Sequence, residues 1–453
     1  MFKTLMRAIL IVLASFALCT LAYAQQLGAP PHAAPTTGVE VHQLPSMEKK
    51  PIHFDAEKAT TAYLARIKGP ERTRSNSYFE GGYLLLVVDA LYALVVMGIL
   101  LWLRISAWMR NFAQNRTRSR FWQVPIYFIM FFVVATAATF PLTLYEGFFR
   151  EHAYGLSNQN FVQWFGDFAI EFATTLIILT LMITLLYAGI RAARRGWWLW
   201  GAALTMFFMA AVTLIYPVYL APLFNHYQPL PDGPVKQQIL SLARANGVPA
   251  TNVYEFDASR QSNRISANVS GLFGTTQISV TDNLLTRGTP SEAKAILGHE
   301  VGHYVMNHVL VNLLWFAIVF VIGFWFADRI FRLLTGLFGG NWDVRTVEDP
   351  AGLPALYAAF TIYMFFATPF VNTIIRTQEA QADIFGVNAA REPDAFATSV
   401  LKLSEYRKLE PSPLEEWVFF DHPSGRSRIS MMMRWKAEHI NDPDIKAGPV
   451  SPQ

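Results

Sequence analysis

The sequence predicts a mainly α-helical protein that crosses a membrane several times and carries an extramembrane portion split between two stretches of chain. Three observations lead there. Of 453 residues, 53% are hydrophobic and only 15% charged, whereas soluble domains average about 25% charged. Six apolar runs, Gly82–Leu103, Trp122–Leu144, Phe168–Ile190, Trp198–Leu220, Val309–Ala327 and Leu353–Ile375, each approach the length that crosses a bilayer core. Between and after them lie two more polar stretches, 221–308 and 376–453, the first ending in AILGHEVGHYVMNH.

Taken in order, residues 1–24 combine Lys3 and Arg7, the apolar stretch Ile9–Leu21 and Ala22-Tyr23-Ala24 before Gln25. That is the pattern of a signal peptide, with an uncleaved first membrane helix as the rival reading. Its Cys19 is the single cysteine of the chain, so disulfides and thiolate zinc ligands are excluded. Leu18 argues against a lipoprotein cleavage site there. Residues 25–78, rich in Pro, Ala, Lys and Glu, read as a loosely helical extramembrane segment. Residues 79–220 hold four spans, 221–308 a first extramembrane part, 309–375 a hairpin of two spans, and 376–453 a second extramembrane part. The net charge of +4 comes without a basic run interleaved with aromatics, which argues against nucleic acid as a partner and leaves the lipid bilayer and a peptide or protein substrate.

Charge sets the orientation. Arg104, Arg110, Arg116, Arg118 and Arg120 lie in one loop, Arg191, Arg194 and Arg195 in another, and Arg329, Arg332 and Arg345 in a third. The loop 145–167 carries Arg150 against Glu146, Glu151 and Asp167. Positive loops stay cytoplasmic, so 25–78, 221–308 and 376–453 are expected on the outer face, as a signal peptide also requires. Arg66, Lys68, Arg72 and Arg74 are the dissenting charges.

Thr289-Pro290-Ser291-Glu292 is a strong helix start: Thr289 caps, Pro290 suits the first turn and Glu292 completes a capping box. On that helix His299 and His303, four apart, present imidazoles on one face to a single Zn2+ ion. Glu300, on the neighbouring face, can serve as general base. Gly298 and Gly302 add no bulk. The helix is expected to run through 308 and on into the span. The bland alternative is two solvated histidines beside a surface glutamate. Glu379, just past the last span, is the candidate third ligand, because the hairpin 309–375 returns it to the membrane face that holds His299 and His303. Asp383, one turn on, is placed to orient a ligand imidazole.

With HEVGHYVMNH, RTQEAQAD (376–383), IYPVYLAPLFNHYQPLPDG (215–233), HAYGLSNQNFVQWFGD (152–167), SVTDNLL (279–285) and DHPSGRSR (421–428) in this order, the chain resembles the type I CAAX prenyl protease family. These are integral-membrane zinc metalloendopeptidases of the gluzincin kind, and the chain looks like a bacterial member. The resemblance implies a transmembrane helical barrel around a chamber and a gluzincin-like domain with a small β-sheet. It implies ligands His299, His303 and Glu379, the base Glu300, and His422 and Arg428 stabilising the oxyanion or holding substrate, with Arg426 as rival to Arg428. It further implies an edge strand in RISANVSG (264–271) that pairs with substrate, the family's Asn-Ala falling on Ser266-Ala267 and Asn268 lying one residue further on. His308 is assigned to packing. Asp89 suits the chamber, while Asp167 and Glu171 suit either the chamber or the interface. If the signal peptide is cleaved, six spans remain rather than the family's seven, and a wider gap in the chamber is expected. A non-proteolytic assembly or quality-control factor on the same fold is the functional alternative, and a transporter with a four-ligand structural zinc a further one.

Overall fold

The computed structural model describes residues 54–193, 195–270 and 276–446. The signal-peptide pattern with Cys19, Arg194 and Gly271 fall outside the described residues.

From the start of the described chain the fold is more regular than the composition suggests. Helix α1 (Ala56–Leu64) is capped by Asp55, whose carboxylate accepts from the Lys58 amide at 2.9 Å. Helix α2 (Gly69–Trp102) begins well ahead of the apolar run at Gly82. Gly69 takes φ +62°, Pro70 fits the first turn and Glu71 faces the positive helix end. The loosely helical segment expected up to residue 78 is therefore, where described, two ordinary helices with a short link.

The chain continues through α3 (Ile105–Arg116), α4 (Arg120–Leu144, prolonged by a π-helical turn Tyr145–Arg150), α5 (Phe161–Ala193) and α6 (Trp197–Ile215). Then come β1 (Tyr227–Pro229), α7 (Pro234–Ala245), β2 (Val253–Phe256), β3 (Ala267–Ser270), β4 (Gln277–Thr281), α8 (Asp282–Arg287) and α9 (Pro290–Val305). Helices α10 (His308–Trp342), α11 (Leu353–Ala390), α12 (Pro393–Leu403), α13 (Pro413–Phe419) and α14 (Gly425–Glu438) complete it.

Six described helices are long and apolar enough to cross a membrane, one for each apolar run. Their packing is circular: α2 touches α4, α4 touches α5, α5 touches α6, α6 touches α10, α10 touches α11, and α11 returns to α2. The described helices thus close a ring of neighbours among themselves. Leu314, Ile177 and Phe366 keep about 70% of their surface exposed (70%, 70% and 71%), as side chains turned toward lipid do.

The two ends of the barrel differ. At one, the arginine-bearing loops meet. Arg110, 2% exposed, reaches Asp349 at 2.7 Å and Asp343 at 2.5 Å, and Arg191 donates to the Arg120 carbonyl at 2.7 Å. At the other end stands the extramembrane portion. Its sheet has the order β1-β2-β4-β3, with β2 and β4 parallel and both outer pairs antiparallel. Val253, Ala267, Ile278 and Val280 pack with Leu297 and Val301 of α9 in one core. A second core joins Tyr63 and Leu64 of α1 to Phe396, Val400, Ile429 and Met433. Asp167 ties the two parts together, taking hydrogen bonds from Gln159 (2.6 Å) and Gln261 (3.0 Å) and pairing with Arg260 (3.3 Å). Glu171 is exposed, and Asp89 lies near Glu146. Of the dissenting cations, Arg72 pairs with Glu410 and Arg66 lies 4.3 Å over the Tyr63 ring.

Candidate metal centre

Both halves of the capping box form at the start of α9. The Thr289 amide donates to Glu292 (2.7 Å) and the Glu292 amide to Thr289 Oγ1 (3.2 Å). The helix so fixed carries His299, buried at 8% exposure, and His303, half-buried. Helix α11 carries Glu379 and Asp383 one turn apart. The glycines set the distance between these helices. A Cβ on Gly298 would stand 2.9 Å from the Gly386 carbonyl, and one on Gly386 2.7 Å from the His299 amide. Backbones in such contact leave carboxylates on α11 within one hydrogen-bond length of imidazoles on α9.

The result is a compact donor set. His299 Nε2 lies 3.1 Å from Glu379 Oε2, His303 Nε2 3.3 Å from Glu379 Oε1, and the two Nε2 atoms 3.1 Å apart. Ligands about 2.0–2.1 Å from a tetrahedral zinc sit about 3.3 Å from one another, so the spacing fits. Buried Glu379 Oε2 accepts no well-aligned hydrogen bond, although His422 Nε2 also approaches it to 3.1 Å. A cation resolves that clustering of acceptors.

Each ring is oriented from behind. His299 Nδ1 lies 2.7 Å from Asp383 Oδ1, and Asp383, fully buried, receives Arg428 through Nε (2.8 Å) and Nη2 (2.6 Å). Burial alone lowers the His299 pKa, but hydrogen bonds to Asp383 and Glu379 outweigh it and push it up to about 9. His303 Nδ1 lies 2.8 Å from His308 Nδ1. His422 Nδ1 meets Asp421 at 2.8 Å; burial lowers the His422 pKa despite that carboxylate. Burial raises the Glu300 carboxyl above its usual range, against the pull of His299 and His303.

The structure thus brings together His299, His303, Glu379, Asp383, Glu300 and His422. Three expectations change. Arg428, 6% exposed, is engaged by Asp383, which sets its guanidinium behind His299 rather than free to face a substrate. Its rival Arg426 turns to Glu410 (2.7 Å) and Glu57 at the surface. Helix α9 does not run into the span but ends at Val305, because Asn307 takes the left-handed φ of +53°.

The edge strand also needs correction. Strand β3 is the outer member of the sheet, as expected. The Thr281 amide donates to the Ser266 carbonyl at 3.0 Å, so Ser266 and, two residues on, Asn268 face β4 with their main chain. The backbone groups directed at the open edge are those of Ala267 and Val269. Of Ser266, Ala267 and Asn268, only Ala267 can pair with an added strand through its main chain. Sequence reasoning missed Val269, because backbone alternation depends on register. It missed Gln381 as well, 3.2 Å from His308 Nε2.

Comparison with known proteins finds two family models side by side along the chain. Residues 229–436 match the model of peptidase family M48, and residues 65–226 the CAAX prenyl protease N-terminal region, described as five membrane helices. The chain is 30% identical over 327 residues to the uncharacterized metalloprotease YhfN of Bacillus subtilis, covering 72% of this chain and 76% of the relative. It is 26% identical over 322 residues to CAAX prenyl protease 1 of Saccharomyces cerevisiae (66% and 69% covered). The fold matches the crystal structure of S. mikatae Ste24p with a TM-score of 0.69 at 19% identity, covering 83% of this chain and 94% of that one.

Proposed function

The chain belongs to peptidase family M48, as a multi-pass membrane metalloprotease, and from that premise we propose that it is a zinc-dependent endopeptidase with ligands His299, His303 and Glu379. The observation that carries this reading is the convergence of these three side chains, their nearest donor atoms 3.1–3.3 Å apart. His422 does not join that group, and three protein ligands suit a catalytic rather than a structural zinc.

A bound zinc supplies the Lewis acidity that polarises the scissile carbonyl and activates water. The chain's own residues do the rest. Glu300 takes the proton of the attacking water and passes it to the leaving amine. Asp383, held by Arg428, keeps the His299 proton on Nδ1 so that Nε2 is free to ligate. His422, with Nδ1 fixed by Asp421, stands where negative charge develops on the carbonyl oxygen. Extended substrate pairs with the Ala267 and Val269 main chain, an interaction independent of the missing Asn-Ala pair.

Sites this near a membrane span suit membrane-associated or unfolded polypeptides. The charge pattern supports a metal centre on the periplasmic face of a bacterial inner membrane. The relatives named CAAX prenyl proteases suggest prenylated C-termini, but an outward-facing site favours envelope proteins. The non-proteolytic assembly factor is not favoured, since a clamp has no use for Glu300.

The test compares wild type with Glu300→Gln on an unstructured peptide in detergent, with zinc content measured on both. The expected variant keeps its zinc and loses hydrolysis. Undiminished hydrolysis by the variant rejects the assignment.

A further inference from the structure

We propose that His308 and Gln381 form a positioning relay that fixes the tautomer of His303, and that the left-handed turn at Asn307 exists to build it. The inference rests on the metal-centre reading above. His303 can offer Nε2 to a metal only if its proton sits on Nδ1. That proton needs an acceptor, and the atom in place is His308 Nδ1, 2.8 Å away. His308 accepts there only if its own proton is on Nε2, which lies 3.2 Å from Gln381 Oε1. The chain of donors therefore has one consistent sense: His303 Nδ1–H to His308 Nδ1, and His308 Nε2–H to Gln381 Oε1. A Gln381 amide turned the other way would donate to His308 and reverse both bonds, closing His303 Nε2 to a metal.

The backbone explains how residues 303 and 308 meet. An unbroken helix sets residues five apart about 140° round its axis, so they cannot touch. The chain leaves α9 after Val305, takes φ +53° at Asn307 and restarts as α10 at His308. Asparagine is among the few non-glycine residues that adopt this conformation readily. The turn folds His308, 3% exposed, under the His303 ring, with centroids 4.9 Å apart.

The test is zinc affinity of the full-length protein in detergent, measured by competition with a chromophoric chelator. Thermal unfolding is followed alongside, and Asp383→Asn serves as a control on the other ligand. Loss of such an outer partner weakens a metal site about 10–100-fold. His308→Leu and Gln381→Leu are expected to weaken zinc within that range. Gln381→Glu, which can only accept, and Asn307→Gly, which keeps the turn, are expected to hold wild-type affinity; Asn307→Val is expected to behave like His308→Leu. Should His308→Leu fold poorly, Gln381→Leu and Asn307→Val carry the test. The proposal is overturned if these variants bind zinc as wild type does while Asp383→Asn weakens it. Failure of the wild type itself to bind zinc overturns the metal-centre reading instead.

Discussion

The two histidines of the proposed zinc centre face the same carboxylate but are supported differently. Behind His299 stands a buried ion pair, Asp383 with Arg428, reached from α11 and α14. Behind His303 stands a neutral imidazole and an amide at the protein surface, reached through a helix break. The first support is charged and buried, strong but costly to damage, because removing one member leaves the other charge unpaired. The second is weaker and tolerates substitution by any correctly placed acceptor. The difference teaches that residues on one helix face, identical in a motif, are made unequal by what lies behind them.

The largest effect expected from breaking this asymmetry is on the charged side. Asp383→Asn leaves the Arg428 guanidinium buried without its anion and should cost about 3–5 kcal/mol of stability, read by denaturant unfolding in detergent. Gly386→Ala acts on the His299 side through the backbone, since its methyl would meet the His299 amide. Overpacking of this kind costs about 1–3 kcal/mol, and zinc content should fall with it. A pH dependence follows on the charged side. In zinc-stripped protein the His299 pKa, raised to about 9 from about 6.5 when unfolded, means the folded state holds the proton more tightly. That stabilisation is complete below about pH 6.5 and is lost as pH rises through 9, so the melting temperature of stripped protein should drop across that window. Zinc affinity should rise over the same window, because the competing proton leaves. The smallest effect belongs to Arg426→Ala, an exposed pair worth at most about 1 kcal/mol, with peptide hydrolysis unchanged. A large loss of activity there would return Arg426 to the site.

Much of this was legible in the residues. The apolar runs located all six spans, and Thr289 and Glu292 announced the capping box that starts α9. The hairpin topology carried Glu379 back to the two histidines because α11 runs unbroken from the span through Glu379, and α10 begins at His308, just past the turn that follows His303. What escaped depended on geometry that residue types do not encode. Asn307 was a signal for a left-handed turn, but within a helical pattern nothing distinguished it from an ordinary polar residue. Arg428 reads as an anion donor until Asp383 is seen beside it. Gly298 and Gly302 read as merely small; their closeness to α11 shows only when Gly386 is seen against Gly298, and Ala382 and Phe385 against Gly302, far along the chain. Which main-chain groups of 264–271 face outward was not legible either, because one hydrogen bond, from Thr281 to Ser266, sets it.

The proposed function stands on one zinc held by His299, His303 and Glu379 with a position left for chemistry. X-ray absorption at the zinc edge, on detergent-purified protein with its zinc counted, tests this most directly. The account predicts one zinc per chain and a shell of two imidazole nitrogens with light oxygen donors, losing one imidazole in His303→Ala. A shell of three or four imidazoles, or a chain that purifies and folds without binding zinc, would contradict it.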